Sequence, residues 1–214
     1  MSSSTQDRQT ARWVDTTAAI LLALAAVATA WSSYQASRWT GEQAQTFSAA
    51  NAARVESTKE AQLANSQQQV DIELFMQWVD ASLTGDDTLE QFYQARFRDE
   101  FRPAFRAWLA TDPFNDESAP SSPFVMQEYV LASKQEAEAL ETKANATSEL
   151  AKVYVQRATN YVLGVVLFAV ALFFAGISIR MPRPGLRMGV LAVGVAVFLL
   201  AGAWIATFPI SLSI

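Results

Sequence analysis

Cysteine and histidine are both absent from the 214-residue chain. That excludes disulfide staples, thiol nucleophiles, imidazole bases, and the zinc and haem sites that depend on those ligands. Most familiar catalytic constellations are therefore missing; a non-enzymatic role with no cofactor and no metal site is expected. Nothing about compartment follows, because a disulfide-free domain is tolerated on either side of a membrane. Charge is missing as well, in three places. No ionisable side chain falls within residues 16–30, 162–179 or 188–214, and apolar residues crowd into the same segments. Each is close to the roughly 20 residues that an α-helix needs to cross hydrocarbon. A buried helix of a soluble protein usually keeps one polar face, so lipid explains three uncharged runs better than a protein core does.

The expected fold is all-α, with spans over 13–34, 159–179 and 188–210 and an extracytoplasmic antiparallel bundle, over 35–158, continuous with the first two spans. Short pieces at 1–12, 180–187 and 211–214 complete the chain as a cytoplasmic tail, a cytoplasmic turn and an outer tail. A cleaved signal peptide is the alternative for the first run, since Arg8 and Arg12 precede it and Ala28, Thr29 and Ala30 resemble a cleavage site. Asp15 interrupts that run and Trp31 is an awkward first mature residue, so a retained span is expected.

Arginine sets the orientation. Arg8 and Arg12 flank the first span, and Arg180, Arg183 and Arg187 fill the connection between the second and third. Both segments are cytoplasmic under the positive-inside rule, and two crossings between them keep the assignments consistent. The opposite orientation stays open, because a long middle domain does not itself vote. Trp13 then anchors the inner interface, and Trp31, Tyr161 and Trp204 the outer one. Of 21 acidic residues, 19 lie between the first and second spans, against 11 bases, a net charge of −8. Such a surface repels nucleic acid.

Within the middle domain, helices are expected over about 35–83, 88–110 and 123–158, with a surface loop at 111–122. Gly41 is the expected bend in the first of these. Ile72, Phe75, Met76, Val79 and Leu83 have the spacing of one apolar face. Asp86 and Asp87 supply a turn and cap, with Glu90 completing a capping-box-like pattern. An aromatic column at Tyr93, Phe97, Phe101 and Phe105 points to core packing rather than a cofactor box, and Pro103 must kink or restart its helix. Ser122 and Pro123 are expected to open the last outer helix, whose positions Leu140, Ala144, Thr147, Ala151, Tyr154, Ala158 and Tyr161 lead straight into the second span. The many alanines permit close helix approach but bury little area each. Further chains are expected to complete the packing, although no strict heptad runs long enough to fix their number.

Trp31, Ser32, Ser33, Tyr34, Gln35, Ala36, Ser37 and Arg38 at the exit of the first span, together with the arginine-bearing turn at 180–187, carry a resemblance. In layout the chain resembles a bacterial membrane-protein family known as a domain of unknown function. The resemblance implies this architecture and a bacterial envelope location, and no activity.

Arg98, Arg102 and Arg106 recur every four residues and are expected to form a column on the second outer helix. The column is a candidate docking site for an anion, a lipid head group or an acidic protein, or a set of pairs with acids such as Asp99 and Glu100. Glu136, Glu138, Glu141 and Glu149 lack the spacing of a calcium loop and read as a solvated face. Only Asp15 approaches bilayer depth among ionisable groups, which argues against proton-coupled transport. Ala192 with Ala196, and Gly202 with Ala206, have small-xxx-small spacing, which serves either internal packing or an oligomer. Two functions remain in view. One is a scaffold or accessory subunit of the inner membrane that assembles through its helical outer domain and whose partners are the bilayer, itself as a homo-oligomer, or another membrane protein. The other is the pore-forming subunit of a cation channel with an acidic outer vestibule, lined by threonines such as Thr16, Thr17, Thr29 and Thr207.

Overall fold

The computed structural model describes the backbone of residues 3–211 and the side chains of residues 13–211. Residues 1–2 and 212–214, which hold the outermost parts of the two expected tails, lie outside the described residues, as do the side chains of Arg8 and Arg12. Five α-helices and one 3-10 turn follow in order, and no strand occurs among the described residues: α1 (Ser3–Thr84), α2 (Asp87–Arg96), α3 (Arg102–Leu109), the 3-10 turn Pro123–Val125, α4 (Ala132–Arg180) and α5 (Pro184–Ile205). The protein is all-α, and α1, α4 and α5 each contain a stretch long and apolar enough to cross a membrane. Two compact units divide the chain, one from residues 1–48 and 147–214 and the other from 49–146.

In the first unit α1, α4 and α5 form a three-helix bundle. Charges bracket its spans closely: Asp15 and Arg38 enclose residues 16–37, and Arg157 and Arg180 enclose 158–179, each 22 residues without an acidic or basic side chain. At 1.5 Å per residue each run covers about 33 Å, the thickness of the hydrocarbon core. At one end Val14, Ala18 and Leu21 of α1 pack with Ala175 of α4 and Leu191 of α5. Toward the other end Ala36 and Trp39 meet Ala158, Tyr161, Phe168, Ala201 and Ile205. The expected eight-residue turn is shorter, because Pro184 starts α5 at its first turn, where the missing N–H is harmless. Arg187 therefore stands on the helix and pairs with Asp15. The pair joins the start of the first span to the start of the third, as two intervening crossings require.

Glycine sets the closest approach between α4 and α5. A β-carbon at Gly194 would lie 3.1 Å from the β-carbon of Phe174 and 3.4 Å from the Ala171 carbonyl oxygen. Gly202, by contrast, has nothing within 4 Å of that position.

In the second unit the buried positions of α1 recur every seven residues: Ala50, Ser57, Ala64, Asp71 and Trp78. A seven-residue period keeps one seam facing a partner helix. The partner is α4, whose Ala137 and Ala144 are buried at the same spacing. The Ser57 hydroxyl donates to the Ala137 carbonyl at 2.8 Å, an approach that only small side chains allow. This heptad of small residues is absent from the sequence expectation, and its α1 face differs from the expected one. Of the expected face, Phe75 is buried and Val79 packs against the aromatic core, while Ile72, Met76 and Leu83 are exposed and Asp71, Trp78 and Ala81 are buried in their place. The larger indole and phenyl rings decide the rotation of the helix, because they remove more apolar area from water than the aliphatic chains they displace.

α1 runs through Gly41 without interruption. It ends at Gly85, whose φ of +70° places it in the left-handed region. The Gly85 and Asp86 amides donate back to Ser82 and Ala81, closing a Schellman motif. Asp86 then caps α2, its carboxylate accepting from the Leu89 amide at 3.0 Å.

The single helix expected over 88–110 is two helices, and Pro103 lies in the first turn of the second. Residues 97–101 turn the chain between them, so Phe97 and Phe101 reach the core from a bend and not from a helix face. The last outer helix also begins later than expected. Pro123 starts only a 3-10 turn, and α4 opens at Ala132. The intervening segment sends Phe124, Met126 and Tyr129 against the aromatic core, which a regular helix from Pro123 does not do.

Replacing Gly194 by Leu should force α4 and α5 apart and destabilise the solubilised protein by about 1–3 kcal/mol. Gly202→Leu should leave its melting temperature nearly unchanged. Equal behaviour of the two variants in a thermal unfolding assay would contradict this packing.

Candidate functional sites

The core of the second unit is built from rings. Phe75, Trp78, Phe97, Phe101, Phe105 and Trp108 are buried together. Their contacts are mainly edge-to-face, with Trp78 on Phe105 at 4.7 Å and Phe75 on Trp108 at 5.2 Å between centroids. Such pairs use the positive ring edge against the negative face. The rings fill one another's space, as core packing does. The Trp108 indole N–H donates to the Pro120 carbonyl at 2.7 Å and ties down the loop expected at 111–122.

One carboxylate lies beside these rings. Asp71 is fully buried, and its Oδ2 accepts from the Arg98 guanidinium and from the Tyr129 hydroxyl, each at 3.1 Å. Its Oδ1 has no hydrogen-bond partner among the described residues. Arg98 also pairs with Glu100. Burial outweighs the attraction of Arg98 and the Tyr129 hydrogen bond, so the Asp71 carboxyl is held above the ordinary carboxylate range. Burial, with the charge of Asp71 next, pushes the Tyr129 hydroxyl well up, so Tyr129 remains a donor. Sequence pattern gave no sign of Asp71. An isolated acid one residue before an expected apolar face reads as solvated, and only its distant partners Arg98 and Tyr129 explain its burial.

The expected arginine column does not form, because the chain breaks between α2 and α3. Arg98 sits in the break and turns inward to Asp71. Arg102 belongs to α3, pairs with Asp99 at 2.9 Å and donates to the Ala95 carbonyl at 3.2 Å. Arg106, one turn further along α3, makes no ion pair among the described residues. Together Arg102 and Arg106 line a cleft of about 330 Å³ between α2 and α3. No three carboxylates among the described residues converge as a metal site.

At the end of the membrane-spanning unit away from the Asp15–Arg187 pair, buried polar side chains serve the backbone. Gln35, fully buried, makes a two-way amide clamp on the backbone of Ser211: the Ser211 N–H donates to Gln35 Oε1 at 2.9 Å, and Gln35 Nε2 donates to the Ser211 carbonyl at 3.4 Å. The Tyr161 hydroxyl donates to the Pro209 carbonyl at 3.2 Å. Backbone groups beyond the last turn of α5 thus find partners inside the protein, as lipid surroundings demand. Tyr161 is therefore a buried strut and not the lipid-facing anchor that its position suggests. Trp13 and Trp31 are exposed, and Trp204 packs against Phe208 at the edge of the bundle. Beside them the Arg157 guanidinium lies 4.6 Å above the Trp39 ring, a cation–π contact that sequence spacing gave no means of pairing. Thr29 and Thr207 donate to backbone carbonyls three or four residues back, which leaves their hydroxyls committed.

The small residues of α5 divide between two faces. Leu191, Gly194, Ala201 and Ile205 are buried against the chain's own helices. Ala192, Ala196 and Ala206 are exposed, Gly202 is half-buried, and Gly189 and Ala203 lie exposed on the same outward face as Ala196. No protein-family model, curated protein sequence or solved structure matches the chain.

The Asp71 cluster makes two predictions. A carboxyl whose folded-state pKa is raised adds stability below its unfolded value of about 4, and that contribution is lost as pH rises through the folded value. Arg98→Gln removes the countercharge and pushes Asp71 further up. It should cost about 3 kcal/mol at pH 7, with part of the loss recovered at pH 5, when chemical unfolding is followed by tryptophan fluorescence. Arg102→Gln, whose partner Asp99 is 92% exposed, should cost less than about 1 kcal/mol at either pH. Equal losses for the two variants, or a loss at Arg98 that deepens in acid, would contradict the assignment.

Proposed function

We propose that this multi-pass membrane protein is a non-enzymatic subunit of the bacterial inner membrane that associates with further copies of itself through α5. Its 49–146 unit then serves as an extracytoplasmic scaffold or docking module. The observation that carries the reading is the outward face of α5. Gly189, Ala196 and Ala203 stand at seven-residue spacing along the centre of that face, flanked by Ala192 and Ala206, and the chain's own α1 and α4 cover none of them. Exposed Leu199 and Leu200 border this stripe; lipid tails gain nothing from the groove of small residues between them, whereas a second helix gains close backbone contact there.

Orientation and compartment belong to the same proposal. Arg180 and Arg183 are exposed at the connection between α4 and α5, and they favour a cytoplasmic connection under the positive-inside rule. A cation pore is the weaker reading, because Thr29 and Thr207 are committed to their own backbone and no charged group lies within the spans.

Native mass spectrometry of the protein in lipid nanodiscs tests the proposal. Wild type should appear as an oligomer, and the Ala192→Leu/Ala196→Leu double variant should shift to monomer with its helical content unchanged. A monomeric wild type, or a double variant with wild-type mass, would overturn it.

A further inference from the structure

We infer that the cleft between α2 and α3 binds a phosphate monoester carried on an apolar body. The 49–146 unit holds 17 acidic and only 8 basic residues, yet four of those bases fall within residues 96–106. Folding sorts the four. Arg98 is spent on buried Asp71, and Arg96 lies flat on the Phe92 ring, its guanidinium carbon 3.3 Å from the centroid. The remaining two, Arg102 and Arg106, line one cleft of about 330 Å³, which is at the lower end of the range for small-ligand sites.

Two of the groups that line the cleft are guanidinium donors suited to an oxyanion. Arg102 is braced by Asp99 and by the Ala95 carbonyl, contacts that use only part of its five-donor fork. Arg106 has no carboxylate partner among the described residues despite the acid excess of the unit. Two guanidinium groups match the double charge of a phosphate monoester, and the bidentate geometry of each suits its oxygens. Across the cleft the Gln91 and Gln94 side chains of α2 add neutral donors and acceptors. The floor is apolar, made by the buried rings of Phe97 and Phe105, 4.9 Å apart. A bare inorganic ion leaves that floor wet, whereas an ester with an apolar group covers it.

Phenyl phosphate is the test ligand, titrated by phosphorus NMR against the full-length protein in phosphatidylcholine nanodiscs, with inorganic phosphate and phenol as comparisons. Phenyl phosphate should bind saturably, and each comparison should bind at least about tenfold more weakly. Arg106→Gln should weaken binding by about tenfold or more, and Arg96→Gln should not change it. Ala95→Trp, which fills the cleft while keeping both arginines, should abolish it. A water-soluble short-chain phosphatidic acid, added as a competitor, distinguishes the sources of the phosphate: tighter binding than phenyl phosphate assigns the site to a lipid head group, and weaker binding assigns it to a soluble ester. Absence of saturable binding, equal affinity for inorganic phosphate, or wild-type affinity in Arg106→Gln or Ala95→Trp would overturn the inference.

Discussion

Lipid offers backbone groups no hydrogen-bond partners, and the membrane-spanning unit is organised around that constraint. Uninterrupted helix satisfies most of the chain in residues 16–37 and 158–179. The difficulty comes where α5 ends at Ile205 and the backbone runs on to Ser211. There the protein supplies its own partners: Gln35 serves both backbone groups of Ser211, and Tyr161 serves the carbonyl of Pro209. A fully buried glutamine is costly in an apolar bundle unless both ends of its amide are bonded. The clamp uses both ends, so the cost is offset.

Residues 49–146 solve a different problem. Alanine and serine at the α1/α4 seam allow the helices to touch, but each buries little area, so the seam alone gives limited stability. The aromatic core supplies the large buried area, each fully buried ring being worth roughly 1.5–3 kcal/mol. Asp71 adds specificity of arrangement. It is buried, raised in pKa and answered by one cation and one hydroxyl from two distant segments, so α1, the bend at 97–101 and the strap before α4 must all be in place together.

The spans were legible because absence of charge over 20 or more residues has one dominant cause. The face of α1 was legible only in part: Phe75 and Val79 do meet the core, but Ile72, Met76 and Leu83 have the same apolar spacing and are displaced by Trp78. The arginine column failed for a related reason. Four-residue spacing implies a column only while the helix continues, and the chain bends at 97–101 ahead of Pro103, which restarts it as α3. The small-xxx-small pairs in the third span left internal packing and assembly equally open from sequence. Exposure takes Ala192 and Ala196 out of the chain's own packing, in which Gly194 is buried instead. Gln35 and Asp71 left no sequence signal, since their partners lie 176 and 27 residues away.

The central claim, self-association through α5, is tested most directly by disulfide crosslinking in native membranes, for which the cysteine-free chain gives a clean background. A single cysteine at Ala196 should yield a covalent dimer on mild oxidation, while one at Val166, exposed on α4, should yield much less. Crosslinking at Ala196 no greater than at Val166 would contradict the account.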